Sequence, residues 1–326
     1  MINNLYIESK FINHPRVEHI KKSIKYKQIF KIDKIENYWG KVKRPYLLKR
    51  DELNLYIGEK KGNLVKQAPD AYGLEGDLHY YYIHSYNCIY ECNYCYLQGY
   101  FQTPDLVMFI NHEDIIAKME EIIKNTSKTV WFHAGEFSDS LALSHVSNEL
   151  DLYFNFFKKY KSAKLELRTK SVNISTLKKL SPLDNVIVSY SLSPDDVLKN
   201  NDLKAPGLKA RINAINELSR LGFKIGIHLD PIVYSETFQD DYQELISNLP
   251  NDIEYISVGV VRFTKDVYRQ VLMNYPNAHI LKGELVKSFD GKIRYPRPMR
   301  LWILNKVKSL LLEKGYRDKS IYLCME

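Results

Sequence analysis

The residues with the clearest chemistry are three cysteines on one short stretch. Cys88, Cys92 and Cys95 stand in the order Asn-Cys-Ile-Tyr-Glu-Cys-Asn-Tyr-Cys-Tyr. Thiolates spaced Cys-x-x-x-Cys-x-x-Cys can each bind one iron of a cubane 4Fe–4S cluster, leaving the fourth iron without a protein ligand. An iron open in this way can chelate a small molecule and deliver one electron to it. Two other readings use the same residues. Zinc could take Cys92 and Cys95 as a pair, with Cys88 and a distant fourth ligand such as Cys324. The thiols could also stand unmodified. The spacing favours the cluster.

Such a loop needs elements to hold it, and from about residue 78 the pattern supplies them. Short apolar runs give strands at 79–86, 129–134, 163–168, 186–191, 224–229 and 254–260. Amphipathic stretches give helices at 113–125, 145–159, 174–180, 206–221, 238–247 and 265–273. Pro206 suits a first helical position and Gly222 a helix end. Strands separated by single helices imply right-handed βαβ crossovers and a parallel sheet. The expected fold is α/β, a partial (β/α)6 TIM-type barrel or, failing that, an open doubly wound sheet. A helix at about 298–314 and a strand at 321–325 close the chain. Residues 1–75 read as a charged, irregular N-terminal extension, whose short apolar clusters such as Tyr46 to Leu48 and Leu53 to Ile57 suggest local strands or helices packed on a larger body. Residues 76–326 read as the barrel with its C-terminal helix and strand.

Composition narrows the class. The 326 residues, 45% hydrophobic and 26% charged, suffice for one large core. With only four cysteines, three of them within eight residues, a metal or cluster is expected rather than a disulfide framework. No apolar run approaches the roughly 20 residues of a membrane span. The opening MINNLYIESK lacks the basic-then-apolar order of a secretory signal, so the expected compartment is the cytoplasm, with no membrane partner. A net charge of +8 and 25 tyrosines are compatible with DNA or another nucleic acid, because cations neutralise phosphates and rings stack on bases. The excess is spread along the chain, so a solvated basic surface fits equally.

In a parallel barrel the reacting groups sit at the C-terminal ends of the strands. Asn87, Glu136, Ser138, Lys170, Ser191, Asp230 and Arg262 end or follow the expected strands. Lys170 could pair with a carboxylate there, and Ser191 could hydrogen-bond a ribose or carboxylate. His79, His84, His133 and His228 fall on strands and read as hydrogen-bonded core histidines. Arg262, Lys265, Arg294, Arg297 and Arg300 could form a basic rim for a phosphate backbone, or a solvated surface.

The cysteine loop after a first barrel strand resembles that of radical S-adenosylmethionine enzymes. Gly135 and Glu136 match two of the three positions of the Gly-Gly-Glu-like turn that meets the methionyl amine in that group. Within it, the chain resembles the spore photoproduct lyase family. The similar residues are Tyr96 to Gln98 directly after the loop, Thr169 and Lys170, Ser191, Pro231 and Ile232, and Arg262 to Lys265. They lie in matching order over about residues 76–275. The resemblance implies a 4Fe–4S cluster on Cys88, Cys92 and Cys95, and S-adenosylmethionine as cofactor. It also implies a 5′-deoxyadenosyl radical that abstracts hydrogen, and repair of the thymine dimer of spore DNA. Tyr94, Glu136, Ser138, Lys170 and Ser191 are then cofactor contacts, and Tyr96 is linked to hydrogen transfer. An electron donor such as a flavodoxin or ferredoxin is implied as a partner.

One departure matters. The family's cysteine after the second strand, which donates hydrogen to the product radical, is replaced in the stretch 134–139 by Glu136. A carboxyl O–H bond is too strong for that role. Cys324 has two readings: a buried apolar thiol, the preferred one, or a substitute donor facing the barrel mouth. The substitution also leaves room for a paralogue acting on RNA, a peptide or a metabolite. A non-catalytic zinc or nucleic-acid-binding protein is the remaining alternative.

Overall fold

The structure, a computed structural model, describes residues 2–41, 45–69, 73 and 76–324. Numbered along the chain, its strands are β1 (Asn4–Glu8), β2 (Gln28–Ile32), β3 (Leu55–Gly58), β4 (Val65–Gln67), β5 (Leu78–Tyr82), β6 (Ser85–Tyr86), β7 (Leu106–Phe109) and β8 (Val130–Ala134). There follow β9 (Ala163–Thr169), β10 (Val186–Ser191), β11 (Lys224–Ile232), β12 (Tyr255–Val260), β13 (Arg262–Phe263), β14 (Val286–Lys287), β15 (Ile293–Arg294) and β16 (Ile321–Leu323).

The larger sheet has the order β16-β12-β11-β10-β9-β8-β5-β4. From β5 to β16 its neighbours are parallel, and β4 pairs antiparallel at the edge. Every residue of β8 and β12 is buried, as a parallel strand covered on both faces requires. Alternation sorts the side chains. Val130, Phe132 and Ala134 join the core beneath the helices, whereas Trp131 packs on the opposite face with Ile187, Tyr255 and Tyr322. On that inner face Tyr255 of β12 reaches Glu166 of β9 at 2.5 Å, although β10 and β11 lie between them. Only a sheet curled on itself allows that contact, so the α/β half-barrel expected from the sequence is present.

The helices follow the expected stripes. Leu208–Arg220 buries Ala214, Ile215 and Leu218, and Phe238–Ser247, Lys265–Asn274 and Arg297–Glu313 lie close to their expected bounds. Three local expectations need correction. The helix expected at 145–159 is two, Ser144–Ser147 and Leu150–Lys159, parted by Asn148 in the left-handed conformation. The stretch 174–180 holds only a single 3-10 turn, Leu177–Lys179. The strand expected at 79–86 also breaks. Its end, β6, leaves the barrel sheet and pairs antiparallel with β7.

The apolar clusters at 46–48 and 53–57 fall on the helix Tyr46–Asp51 and on β3, as expected, while the stretch read as irregular also carries a sheet. β1, β2 and β3 form a parallel sheet, in the order β2-β1-β3-β7-β6, completed by two strands from beyond residue 76. Leu5, Ile7, Leu55 and Ile57 alternate into its core with Leu106 and Met108. The step from β5 to β6 thus links the two sheets and hands the chain directly to the cysteine loop.

Candidate active site

The cysteine loop begins at Asn87, whose φ of +61° is held by side-chain hydrogen bonds to the carbonyls of Thr103 (2.7 Å) and Asp105 (2.8 Å). Cys88, Cys92 and Cys95 follow as half-buried free thiols, with the Cys95 amide donating to the Cys92 carbonyl at 3.0 Å. Burial holds the Cys88 thiol well above its ordinary value. Burial, with the Asp202 carboxylate adding to it, pushes Cys92 up to about 12. Metal binding at this loop must therefore displace protons. Among the described residues, no group of three or more His, Cys, Asp or Glu is arranged to hold a single metal ion.

Lys170, just past the end of β9, comes to this loop. Its Nζ lies 3.3 Å from Cys92 Sγ and 2.9 Å from Asp202 Oδ1, hydrogen-bonds the Tyr94 hydroxyl, and sits over the Tyr94 ring. Asp202 receives Tyr94 OH at 2.5 Å on one oxygen and Arg211 Nη2 at 2.7 Å on the other. Burial alone would lower the Lys170 ammonium, but Asp202 and Cys92 override it and hold it well above its ordinary value. Arg211 also donates to the Ser191 carbonyl at 2.8 Å, which ties the end of β10 to the same group. Neither Asp202 nor Arg211 carried a signal in the sequence. Asp202 follows a short helix with no motif, and Arg211 reads as the polar face of an amphipathic helix.

Gly135 and Glu136 follow β8. Gly135 has φ +88°, and a Cβ there would lie 2.6 Å from the Arg168 carbonyl, so the turn is closed to larger residues. The Glu136 carbonyl accepts from the Tyr96 hydroxyl, and its carboxylate lies 3.8 Å from Arg168 Nη1. Burial raises the Glu136 carboxyl despite Arg168. Ser138 accepts from Ser85 at 2.6 Å and lies 3.3 Å from His84 Nε2, beside a cavity of about 30 Å³ that Cys88 and Glu149 also line. Asp139 fastens the whole turn. It accepts from the amides of Leu141, Ala142 and Lys170 and from the Thr169 hydroxyl, at 2.7–3.0 Å.

Below these groups the inner face is polar. Glu166 receives His228 Nε2 at 2.6 Å, Ser189 Oγ at 2.6 Å, Tyr255 OH at 2.5 Å and the His133 ring. His79 lies 2.9 Å from His133, so these are core histidines with partners.

Cys324 is buried, as its preferred reading expects, and charged groups stand beside its thiol. Its amide continues the β16 ladder to Val258 at 2.8 Å, and alternation from Tyr322 sets its thiol on the inner face. There Arg262 Nη2 lies 3.3 Å from Sγ and 3.0 Å from Asp230. Burial and the Asp230 carboxylate push the thiol up to about 12. Of the two readings of the arginines and lysine near the C-terminal end, the basic rim has few free cations to draw on. Arg262 is paired with Asp230, Arg294 is buried on Asp290 at 2.9 Å, and Arg300 is buried on the Tyr295 carbonyl. Only Lys265 and Arg297 of that set are exposed. No helix among the described residues is long and apolar enough to cross a membrane.

Known proteins share both the sequence and this architecture. The family model for spore photoproduct lyase matches residues 74–293. The spore photoproduct lyase of Clostridium acetobutylicum is 23% identical over 216 residues, covering 64% of this chain and 64% of that protein. That of Bacillus subtilis is 26% identical over 202 residues, or 59% of each chain. The matched stretch is thus less than two thirds of these relatives' length. In fold the likeness covers nearly everything. A solved spore photoproduct lyase complexed with dinucleoside spore photoproduct superposes with a TM-score of 0.82 at 18% identity, over 99% of this chain and 98% of that one. A doubly substituted spore photoproduct lyase with bound AdoMet and the same dinucleoside gives 0.79 over the same shares. With the family model spanning most of the chain, from the cysteine loop to β15, this protein belongs to the spore photoproduct lyase family of radical S-adenosylmethionine enzymes.

Proposed function

We propose that the chain holds a 4Fe–4S cluster on Cys88, Cys92 and Cys95, binds S-adenosylmethionine beside it, and repairs a thymine photoproduct in DNA. One observation carries the reading: a loop with three free thiols lies at the C-terminal end of a curled parallel sheet, where the Lys170 ammonium stands 3.3 Å from the Cys92 thiol. The residues present fit the cofactors. The donor set is soft, and a buried cation stands against one thiol. When bound, the cluster and S-adenosylmethionine supply a 5′-deoxyadenosyl radical.

The chain's own residues do the rest. Asp202 and Arg211 hold Lys170 and Tyr94 in place for the cofactor's methionyl and adenine groups. Ser138, which lines the cavity beside Cys88, and Ser191, whose carbonyl is tied to Arg211, are further cofactor contacts in this reading, and Gly135 lets the turn after β8 approach closely. Tyr96, half-exposed at the mouth and hydrogen-bonded to the Glu136 carbonyl, relays hydrogen. Cys324 takes the role left open by Glu136. Its S–H hydrogen passes to the product radical, a transfer the stronger O–H bond of a carboxyl cannot make. The reductant is a one-electron carrier such as a flavodoxin or ferredoxin.

The Glu136–Arg168 pair at the place of the family's donor cysteine favours a second reading, a paralogue acting on RNA, a peptide or a metabolite. Anaerobic reconstitution followed by incubation with photoproduct-containing DNA decides between them. About four irons per chain, 5′-deoxyadenosine release and recovered thymine are expected. Cofactor cleavage without thymine recovery points to the paralogue. Stoichiometric zinc without cleavage overturns the enzyme reading.

A further inference from the structure

Among the contacts that the first 75 residues make with the cysteine loop, one buried side chain grips its backbone. Arg50 sits on the helix Tyr46–Asp51, directly before β3, and is buried. Its Nη1 donates to the Cys88 carbonyl at 3.0 Å and its Nη2 to the Ile89 carbonyl at 3.1 Å. Its Nε lies 3.8 Å from Glu91, which is also buried. Glu91 in turn meets Lys204 at 2.8 Å and the Tyr275 hydroxyl at 3.1 Å. A planar guanidinium with donors in a fixed fork can hold two successive carbonyls in one orientation, which a single ammonium cannot.

The consequence lies on the other side of the same peptide unit. The Ile89 carbonyl and the Tyr90 amide belong to one plane and point in opposite directions. While Arg50 holds that carbonyl, the Tyr90 N–H donates to Cys88 Sγ at 3.3 Å. Hydrogen bonds to cluster sulfurs and nearby charge are levers on a cluster's reduction potential. Outer-shell partners that orient a ligand also govern how firmly the metal is kept.

We propose that Arg50 is a positioning residue for the cluster. By gripping the Cys88 and Ile89 carbonyls it aims the Tyr90 amide at the first cluster thiolate, and it adds a buried positive charge beside the loop. The N-terminal sheet thereby sets both the retention and the reduction potential of the cluster. This rests on the reading that Cys88, Cys92 and Cys95 hold that cluster.

The test compares the reconstituted full-length wild type with Arg50→Gln and Arg50→Lys, without S-adenosylmethionine. Three readouts are taken: iron per chain, the rate at which a chelator strips that iron, and the midpoint potential of the cluster by anaerobic redox titration. Arg50→Gln is expected to lose iron about 10- to 100-fold faster and to be harder to reduce. Arg50→Lys keeps the buried charge and is the safer variant for folding. It is expected to fall between the other two, because the charge remains and the two-carbonyl grip does not. Wild-type stripping rate and potential in Arg50→Lys overturn the orienting role, whatever the fate of Arg50→Gln. Both quantities unchanged in a folded Arg50→Gln overturn the inference altogether. A wild type that takes up zinc or no iron overturns the cluster reading itself, and this inference with it.

Discussion

The Lys170 ammonium lies 2.9 Å from the Asp202 carboxylate, and both groups are largely enclosed at the cysteine loop. Asp202 also neutralises Arg211, whose side chain is fully buried. One carboxylate thus balances two buried cations, and removing it leaves both without their partner. Breaking a buried pair in this way costs about 3–5 kcal/mol. Asp202→Asn is expected to lower unfolding stability by that order in urea titration of the metal-free chain. Stability within about 1 kcal/mol of wild type would show the pair to be solvated.

Gly135 is expected to resist substitution. Its positive φ and the 2.6 Å separation between an added methyl carbon and the Arg168 carbonyl both act against Ala. Gly135→Ala is expected to cost about 1–3 kcal/mol in thermal or denaturant unfolding. An unperturbed transition would mean the turn after β8 has room to shift.

Glu149 gives a pH signature. Burial raises its carboxyl to about 7, and burial lowers the neighbouring His84 to about 4, although the two lie 3.6 Å apart. Desolvation outweighs their mutual attraction, so each favours its neutral form. Because the Glu149 value is raised on folding, its contribution is fully present below about pH 4.5 and fades as pH rises through 7. Glu149→Gln removes that dependence. The variant is expected to match wild type near pH 4 and to exceed it by about 3 kcal/mol at pH 8. Equal pH–stability curves for the two proteins would exclude the buried neutral acid.

Cys324→Ala tests the donor. The expected result is unchanged iron loading and unchanged 5′-deoxyadenosine release, with a large fall in repaired product per cofactor cleaved and a changed isotope pattern in the product. Equal yield and isotope pattern would remove Cys324 from the reaction and return it to a structural role beside Arg262.

Tyr96→Phe addresses the relay. The Glu136 carbonyl loses its hydroxyl donor, a change of about 1 kcal/mol in stability, while the cluster thiols keep their places. Product formation is expected to fall more than cofactor cleavage. A proportional fall in both would assign Tyr96 to cofactor binding alone.

The sequence by itself determined the three thiols, their spacing, and the alternation of strands and helices that makes a parallel α/β sheet. Those signals are local, since ligand spacing lies within eight residues and apolar periodicity within one element. It also placed Lys170 and Ser191 at strand ends, because in parallel sheets those ends share one rim. The N-terminal sheet was legible only as isolated apolar clusters, such as the one on β3. Its strands are short and charged at the edge, and β7, which completes it, lies some fifty residues after β3. Asp202, Arg211 and Arg50 were silent for the same reason. Their meaning is a contact with residues between 9 and 108 positions away. The environment of Cys324 was likewise decided by tertiary structure, since the pairing of β16 beside β12 and β11 brings Arg262 and Asp230 to its thiol. Local chemistry wrote the cluster loop, and long-range packing chose the charges that stand around it.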